Sequence, residues 1–327
     1  MTYSVGGLIQ AADYNTFQSN LNNVWSTGVS DSGWGQTSIT GVSADTVVTA
    51  TNWATLVNNL KTAGSQTGTV LTSRTAPVTG NVIAILANVT TDITSVTTNR
   101  GNAVGVGTTS STWTGSIAKT TNTGTTAVPG LAWTITWTQT VTFPTAAQAR
   151  YFWNAGGLIR LDMSKTSTGQ DMDPDWNTFV GTVGTLYLSG RVNSANQLIA
   201  GTTYTGLTRV GGSGTPAPNL STTGWYTLTA GGAASTMWQL NSSTYPYTAD
   251  FIRLTAAVDA GRTVLTLVTT WSQSSQFYAT GITGGTDTAS PYTVFGTAPA
   301  VLCRYIPPSA TYLTNTWGTP AIASSVA

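Results

Sequence analysis

The chain has 327 residues, 12 basic and 11 acidic side chains, a net charge of +1, no His and no Glu. Charged residues make up 7% of it, against about 25% in an ordinary soluble domain, while 67 are Thr, 35 Gly and 12 Trp. Without His there is no Ser-His-Asp or Cys-His machinery and no imidazole metal ligand. The single Cys303 permits neither an intrachain disulfide nor a thiolate zinc site, and the scattered Lys and Arg leave no footprint for nucleic acid.

The first elements read as helices. Tyr14, Phe17, Leu21 and Val24 fall at helical spacing, and so do Trp53, Leu56, Val57 and Leu60. An offset of 39 positions places Tyr14 on Trp53, Phe17 on Leu56, Asn20 on Asn59 and Leu21 on Leu60, which predicts two similar helices packed face to face. Residues 1–75 are therefore expected to form an N-terminal helical docking region. Val82, Leu86, Val89, Ile93 and Val96 follow at spacings of 4, 3, 4 and 3. That is a heptad seam rich in β-branched residues, which favours trimers over dimers. Residues 76–104 are expected to be a heptad helix with linker, the alternative being an amphipathic helix lying on its own domain.

From there the pattern changes to period two. In residues 131–143, Leu131, Trp133, Ile135, Trp137, Val141 and Phe143 share one face, and Thr134, Thr136, Thr138, Thr140 and Thr142 share the other. This is a strand with an apolar side and a wettable side, ended by Pro144. Further strands are predicted over 157–163, 182–192, 224–228, 251–258 and 263–271, with a hairpin loop at Asp259–Arg262. The fold class is mainly β: an antiparallel β-sandwich domain over residues 105–300, preceded by the small helical region and the short heptad helix. Residues 301–327, with Pro307, Pro308 and Pro320, read as an extended arm lying on a neighbouring subunit.

Few residues invite chemistry. Asp171, Asp173 and Asp175 have the spacing that opens a calcium loop, but Pro174 interrupts it and no Glu can close it. The competing reading makes Asp173 the N-cap, and Pro174 the first residue, of a short helix through Trp176 and Phe179. A pair of Asp carboxylates could serve glycoside hydrolysis, although sequence does not give their separation. Trp34, Trp225 and Trp317 stand beside Gly and are the aromatic candidates for receptor contact. The Gly156-Gly157 pair before a strand predicts positive φ or close backbone approach. No catalytic residue and no cofactor is expected.

Four segments carry a resemblance. Ile9–Asn15, then Asp31-Ser-Gly-Trp-Gly-Gln36, then Ala50–Trp53 look like the opening of virion structural proteins of tailed bacteriophages of the cyanophage type. Tyr151-Phe-Trp-Asn-Ala-Gly-Gly-Leu-Ile-Arg160 is similar to an aromatic-Asn-Ala-Gly-Gly-x-Ile-Arg segment of the same proteins, its most specific element. The resemblance spans roughly residues 1–275 and brings no catalytic residues with it. It implies a tail-fibre or baseplate-associated virion component acting in assembly and host attachment. Such a protein is made in the host cytoplasm and is expected as a homotrimer. Its partners would be other virion proteins and a host surface glycan or protein, with neither nucleic acid nor membrane insertion involved. A capsid decoration protein or head fibre is the alternative, and an Asp-based polysaccharide depolymerase the third reading.

Overall fold

The computed structural model describes residues 11–44, 46–80, 88–103, 117–118, 133–165, 173–190, 197–199, 201–213, 223–243, 248–273 and 299–327. Among them the fold is mostly β, with 31% strand and 27% helix.

Three helices come first. α1 (Ala11–Trp25) buries Tyr14, Phe17, Leu21, Val24 and Trp25, and α2 (Ala50–Thr67) buries Trp53, Leu56, Val57 and Leu60. The two apolar stripes meet as their repeat predicts. Tyr14 and Trp53, equivalent under the offset, make an edge-to-face pair at 5.4 Å, with Phe17 at 6.0 Å from the same Trp53. α2 starts on a reciprocal cap between Thr49 and Asn52 and stops at Gly68, whose φ of 64° is the left-handed conformation that Gly adopts without strain. α3 (Val89–Thr98) packs on both α1 and α2. A buried ion pair between Arg74 and Asp92 ties it to the chain leaving α2, and Asp92 also accepts from the Thr72 N–H at 3.2 Å.

The remaining elements alternate strands with two further helices. They are β1 (Ile117–Ala118), β2 (Trp133–Thr142), α4 (Ala146–Asn154), β3 (Leu158–Ser164), α5 (Asp173–Val183) and β4 (Thr185–Leu188). Then come β5 (Gln197–Ile199), β6 (Thr202–Tyr204), β7 (Leu207–Val210), β8 (Ser235–Asn241), β9 (Phe251–Val258), β10 (Val264–Gln273), β11 (Ala300–Ile306) and β12 (Ala321–Val326). Two five-stranded sheets result, ordered β1-β11-β3-β4-β7 and β12-β2-β10-β9-β8, with β5 and β6 as a separate pair. Every strand pairing in them is antiparallel.

β2 follows its period-two pattern: Ile135, Trp137 and Val141 are fully buried, and the Thr residues face the other way. Its neighbour β10 presents Leu265, Leu267 and Trp271 to the same side, and Trp271 stacks on Trp176 of α5 at 5.8 Å. Buried side chains of both sheets and of α1 to α5 belong to one continuous apolar cluster. Fully burying one Trp here is worth several kcal/mol, since truncating such a side chain typically costs about 3–5 kcal/mol.

Three sequence expectations are corrected. Residues 301–327 are not an arm on a neighbour. They supply β11, inserted between β1 and β3, and β12, paired along β2, while Leu313 and Trp317 are buried in the chain's own core. Thr182 and Val183, expected in a strand, end α5 because Val183 completes that helix's apolar stripe, and β4 begins only at Thr185. Residues 224–228 form a turn instead of a strand: the Gly224 carbonyl accepts from the N–H groups of Thr227 and Leu228 at 3.1 and 3.2 Å.

Candidate functional site

The predicted trimer seam is also corrected. Val89, Ile93 and Val96 are 1%, 4% and 0% exposed, packed inward in the cluster that holds α1 and α2. A spacing of 4 and 3 marks an apolar stripe, and here the chain's own helices cover it. Asn88, at φ 62°, precedes α3 in the left-handed conformation, so the helix does not run through it. Val82 and Leu86 lie outside the described residues. The seam therefore gives no support to the expected homotrimer.

The three Trp expected at a receptor surface are buried as well: Trp34 and Trp225 are 1% exposed and Trp317 2%. The neighbouring glycines do not signal exposure. Gly35, at φ 71°, leaves no room for a Cβ beside the Tyr151 ring, so small residues let the loop carrying Trp34 close onto α4. The Trp34 indole N–H donates to the Asn154 carbonyl at 3.2 Å, and Trp225 stacks on Trp153 at 5.5 Å.

A short helix through Trp176 and Phe179 is present, but α5 begins at Asp173, so Asp173 is its first residue and not the N-cap that the capping alternative makes it. Asp171 and the side chains of Asp173 and Asp175 lie outside the described residues. Among the described residues no cluster of three or more Cys or Asp side chains is placed to hold a metal ion.

The Asn-Ala-Gly-Gly segment is a junction in the core. Asn154, 2% exposed, donates to the carbonyls of Ser30 and Gly33 at 3.2 and 3.1 Å and accepts from the Tyr226 hydroxyl at 2.7 Å. One amide thus joins the loop after α1, the end of α4 and the turn before β8. Gly156 has φ 108°, and a Cβ on Gly157 would lie 2.5 Å from the Phe152 ring. Both expectations for the pair, positive φ and close approach, are met, one by each residue.

Beside this junction lies a cavity of about 440 Å³ lined by Ser30, Ala146, Ala147, Arg150, Trp225, Tyr226 and Arg262. Arg262 sits in the β9–β10 hairpin at φ 50°, and its guanidinium donates to the carbonyls of Trp225 and Leu228 at 3.1 and 3.0 Å. Arg150, one turn into α4, donates to the Gly28 carbonyl at 3.1 Å and lies 5.3 Å from the centre of the Tyr151 ring. Its Nε is buried and has no hydrogen-bond partner among the described residues. Among the described residues neither Arg forms an ion pair, unlike Arg74, Arg100 and Arg160, each of which has an Asp.

Sequence reasoning missed this pair because the two Arg stand 112 positions apart, one in a helix and one in a turn read only as a hairpin loop. No pattern in the sequence marks it, since the positive φ of Arg262 belongs to the folded hairpin and not to its residue types.

Other titratable groups are tuned by burial. The Cys303 thiol is pushed up to about 12 by desolvation, which keeps it protonated and unreactive. Lys165 is lowered to about 8 by desolvation. Desolvation acts to raise Asp259, but hydrogen bonds from the N–H groups of Val264, Thr263 and Gly261 and from the Thr263 hydroxyl outweigh it and hold the carboxyl below its usual range. These bonds close the β9–β10 hairpin and so fix the backbone that carries Arg262.

No family model matches the chain, and no curated protein or solved structure does either. No helix among the described residues is long and apolar enough to cross a membrane.

Proposed function

We propose that this chain is a structural component of a tailed-phage particle, associated with the tail as a fibre or baseplate protein that serves assembly and host attachment. The observation that carries the reading is the segment Tyr151–Arg160. It resembles virion proteins most specifically, and its polar and Gly residues act here as a buried joint. A motif used in this way suits a particle scaffold. In this reading the two antiparallel sheets form the layers of a β-sandwich, supported by inner side chains of both sheets sharing one core. The Thr-rich outer side of β2 would remain wettable with few charges, which suits close packing of many copies, where like charges would repel.

The partners proposed are other virion proteins and a host surface component, with synthesis in the host cytoplasm. Several Asp are committed to structural partners: Asp31 to Arg100, Asp92 to Arg74, Asp162 to Arg160, and Asp259 to its own hairpin. No specific observation favours an Asp-based depolymerase.

The test is to identify the chain in purified particles by peptide mass spectrometry and to place it with gold-labelled antibody in the electron microscope. Label on the tail is expected. Label over the head would replace this reading with capsid decoration, and absence from intact particles would overturn it.

A further inference from the structure

We infer that the cavity between α4 and the β9–β10 hairpin is a binding site for an organic carboxylate the size of a single acidic sugar. The inference rests on the cavity's geometry and is independent of the particle reading above.

Two cations line one cavity, Arg150 and Arg262, and neither has a carboxylate partner among the described residues. A guanidinium keeps its charge at any working pH and presents its donors in a planar fork that matches a carboxylate. Both forks are held in place. Arg262 is fixed by two carbonyls and Arg150 by the Gly28 carbonyl, and in each the terminal nitrogens carry N–H groups beyond those bonds. Donors already immobilised lose little entropy when a ligand arrives.

The rest of the lining selects an anion with a carbon body over a bare inorganic ion. Ala146 and Ala147 supply the exposed apolar surface, with the buried Trp225 and the half-buried Tyr226 behind them, and the Tyr226 hydroxyl is occupied by Asn154. The volume of about 440 Å³ is near the lower end of small-molecule sites and fits one six-membered ring better than a chain of them. Ala146 and Ala147 are exposed and small, which leaves the approach to Arg150 open.

The experiment is a titration of the full chain with D-galacturonate, D-galactose and inorganic phosphate, followed by ligand-observed NMR and calorimetry. Galacturonate is expected to bind with a Kd of about 1 mM or tighter, weakening as salt is raised, with galactose and phosphate each at least about tenfold weaker. Arg262→Lys keeps the charge but loses the fork, and a loss of about tenfold is expected. Because both Arg also brace backbone carbonyls, Ala147→Glu is the second variant. It puts a carboxylate into the exposed first turn of α4, where an acidic residue suits the helix, and should abolish binding with no fall in Tm.

Equal binding of galactose and galacturonate would overturn the role of the arginines. Phosphate binding as tight as galacturonate would reduce the site to a general anion trap. Undiminished galacturonate binding by a folded Ala147→Glu would place the ligand elsewhere. None of these results would bear on whether the chain is found in particles.

Discussion

Extended backbone is held in two different ways in this molecule. In the sheet region β2 exchanges backbone hydrogen bonds with β10 on one side and β12 on the other, and no side chain is needed to complete them. In the helical region the segment after α1 folds back along that helix, whose last turn offers carbonyls, Val24 and Trp25 accepting from the N–H groups of Trp34 and Gln36 at 2.9 and 3.0 Å; further along, the helix backbone has none to offer. There the amides of α1 substitute for a strand. Asn15 donates to the Val42 carbonyl and accepts from the Val42 N–H, both at 2.8 Å. Asn22 does the same for Ile39 at 2.9 and 3.0 Å, Gln18 donates to the Ile39 carbonyl at 2.6 Å, and the Trp25 indole donates to the Thr37 carbonyl at 2.9 Å. These four residues form a half-buried to buried stripe beside the apolar one. The difference explains part of the composition. Where strands satisfy each other, the outward positions can all be Thr; where a helix must imitate a strand, particular Asn and Gln are required.

The comparison can be broken at the joint between the two regions, where the largest effect is expected. Gly157→Val would drive a Cβ into the Phe152 ring, a clash relieved only by repacking the core beside Trp153, and should cost about 3 kcal/mol or more. Chemical denaturation monitored by Trp fluorescence reads the shift in midpoint, and an unchanged midpoint would mean that the close approach is not present in solution. Asn154→Leu comes next, at about 2–3 kcal/mol, because it leaves the Tyr226 hydroxyl and two carbonyls without their partner. If the joint couples the regions, Tyr226→Phe should cost much less in the Asn154→Leu background than alone.

A smaller effect tests the strand imitation directly. Asn22→Leu and Asn15→Leu should each cost about 1–2 kcal/mol and speed hydrogen exchange at Ile39 and Val42 respectively, while Thr136→Val on the outer side of β2 should stay within about 0.5 kcal/mol. Equal effects from all three would remove the distinction between the regions.

The smallest effect depends on pH. Lys165 titrates near 8 in the folded chain and near 10.5 when unfolded, so its burial is unfavourable below pH 8 and the penalty fades between pH 8 and about 10.5. Lys165→Met should therefore be the more stable protein at pH 7, with an advantage that shrinks across that window. A constant difference in Tm between the two would show that the lysine is not desolvated.

How far the sequence could be read depended on what kind of interaction was involved. Alternation in β2 and the stripes of α1 and α2 are periodic burial patterns, and burial alone decides them, so they were legible. The Gly156-Gly157 pair was legible because only a few backbone situations demand Gly. The seam through Val89, Ile93 and Val96 was misread because period alone does not tell which surface covers a stripe: a second subunit and the chain's own α1 and α2 leave the same spacing. The Trp beside Gly were misread because small neighbours permit close packing as well as exposure. Residues 301–327 looked like an arm because of Pro307, Pro308 and Pro320, which fall just after β11 and just before β12, and the place of β12 beside β2 is set by backbone pairing that composition does not record. Arg150 and Arg262 meet only through tertiary structure, and no local pattern could have joined them.

The pairing of β12 with β2 also bears on how the chain reaches this fold. Trp137 lies opposite Val326, more than half the chain later, and β3 likewise waits for β11. Each such contact must close a very long loop before it repays the entropy of closure, which slows folding. Until those distant strands arrive, β2 carries an open edge of unpaired amides and a Trp-rich face, a combination that invites pairing with other unfinished chains. The yield of folded protein should therefore depend on chain concentration and temperature during synthesis far more steeply than the stability of the finished molecule would suggest.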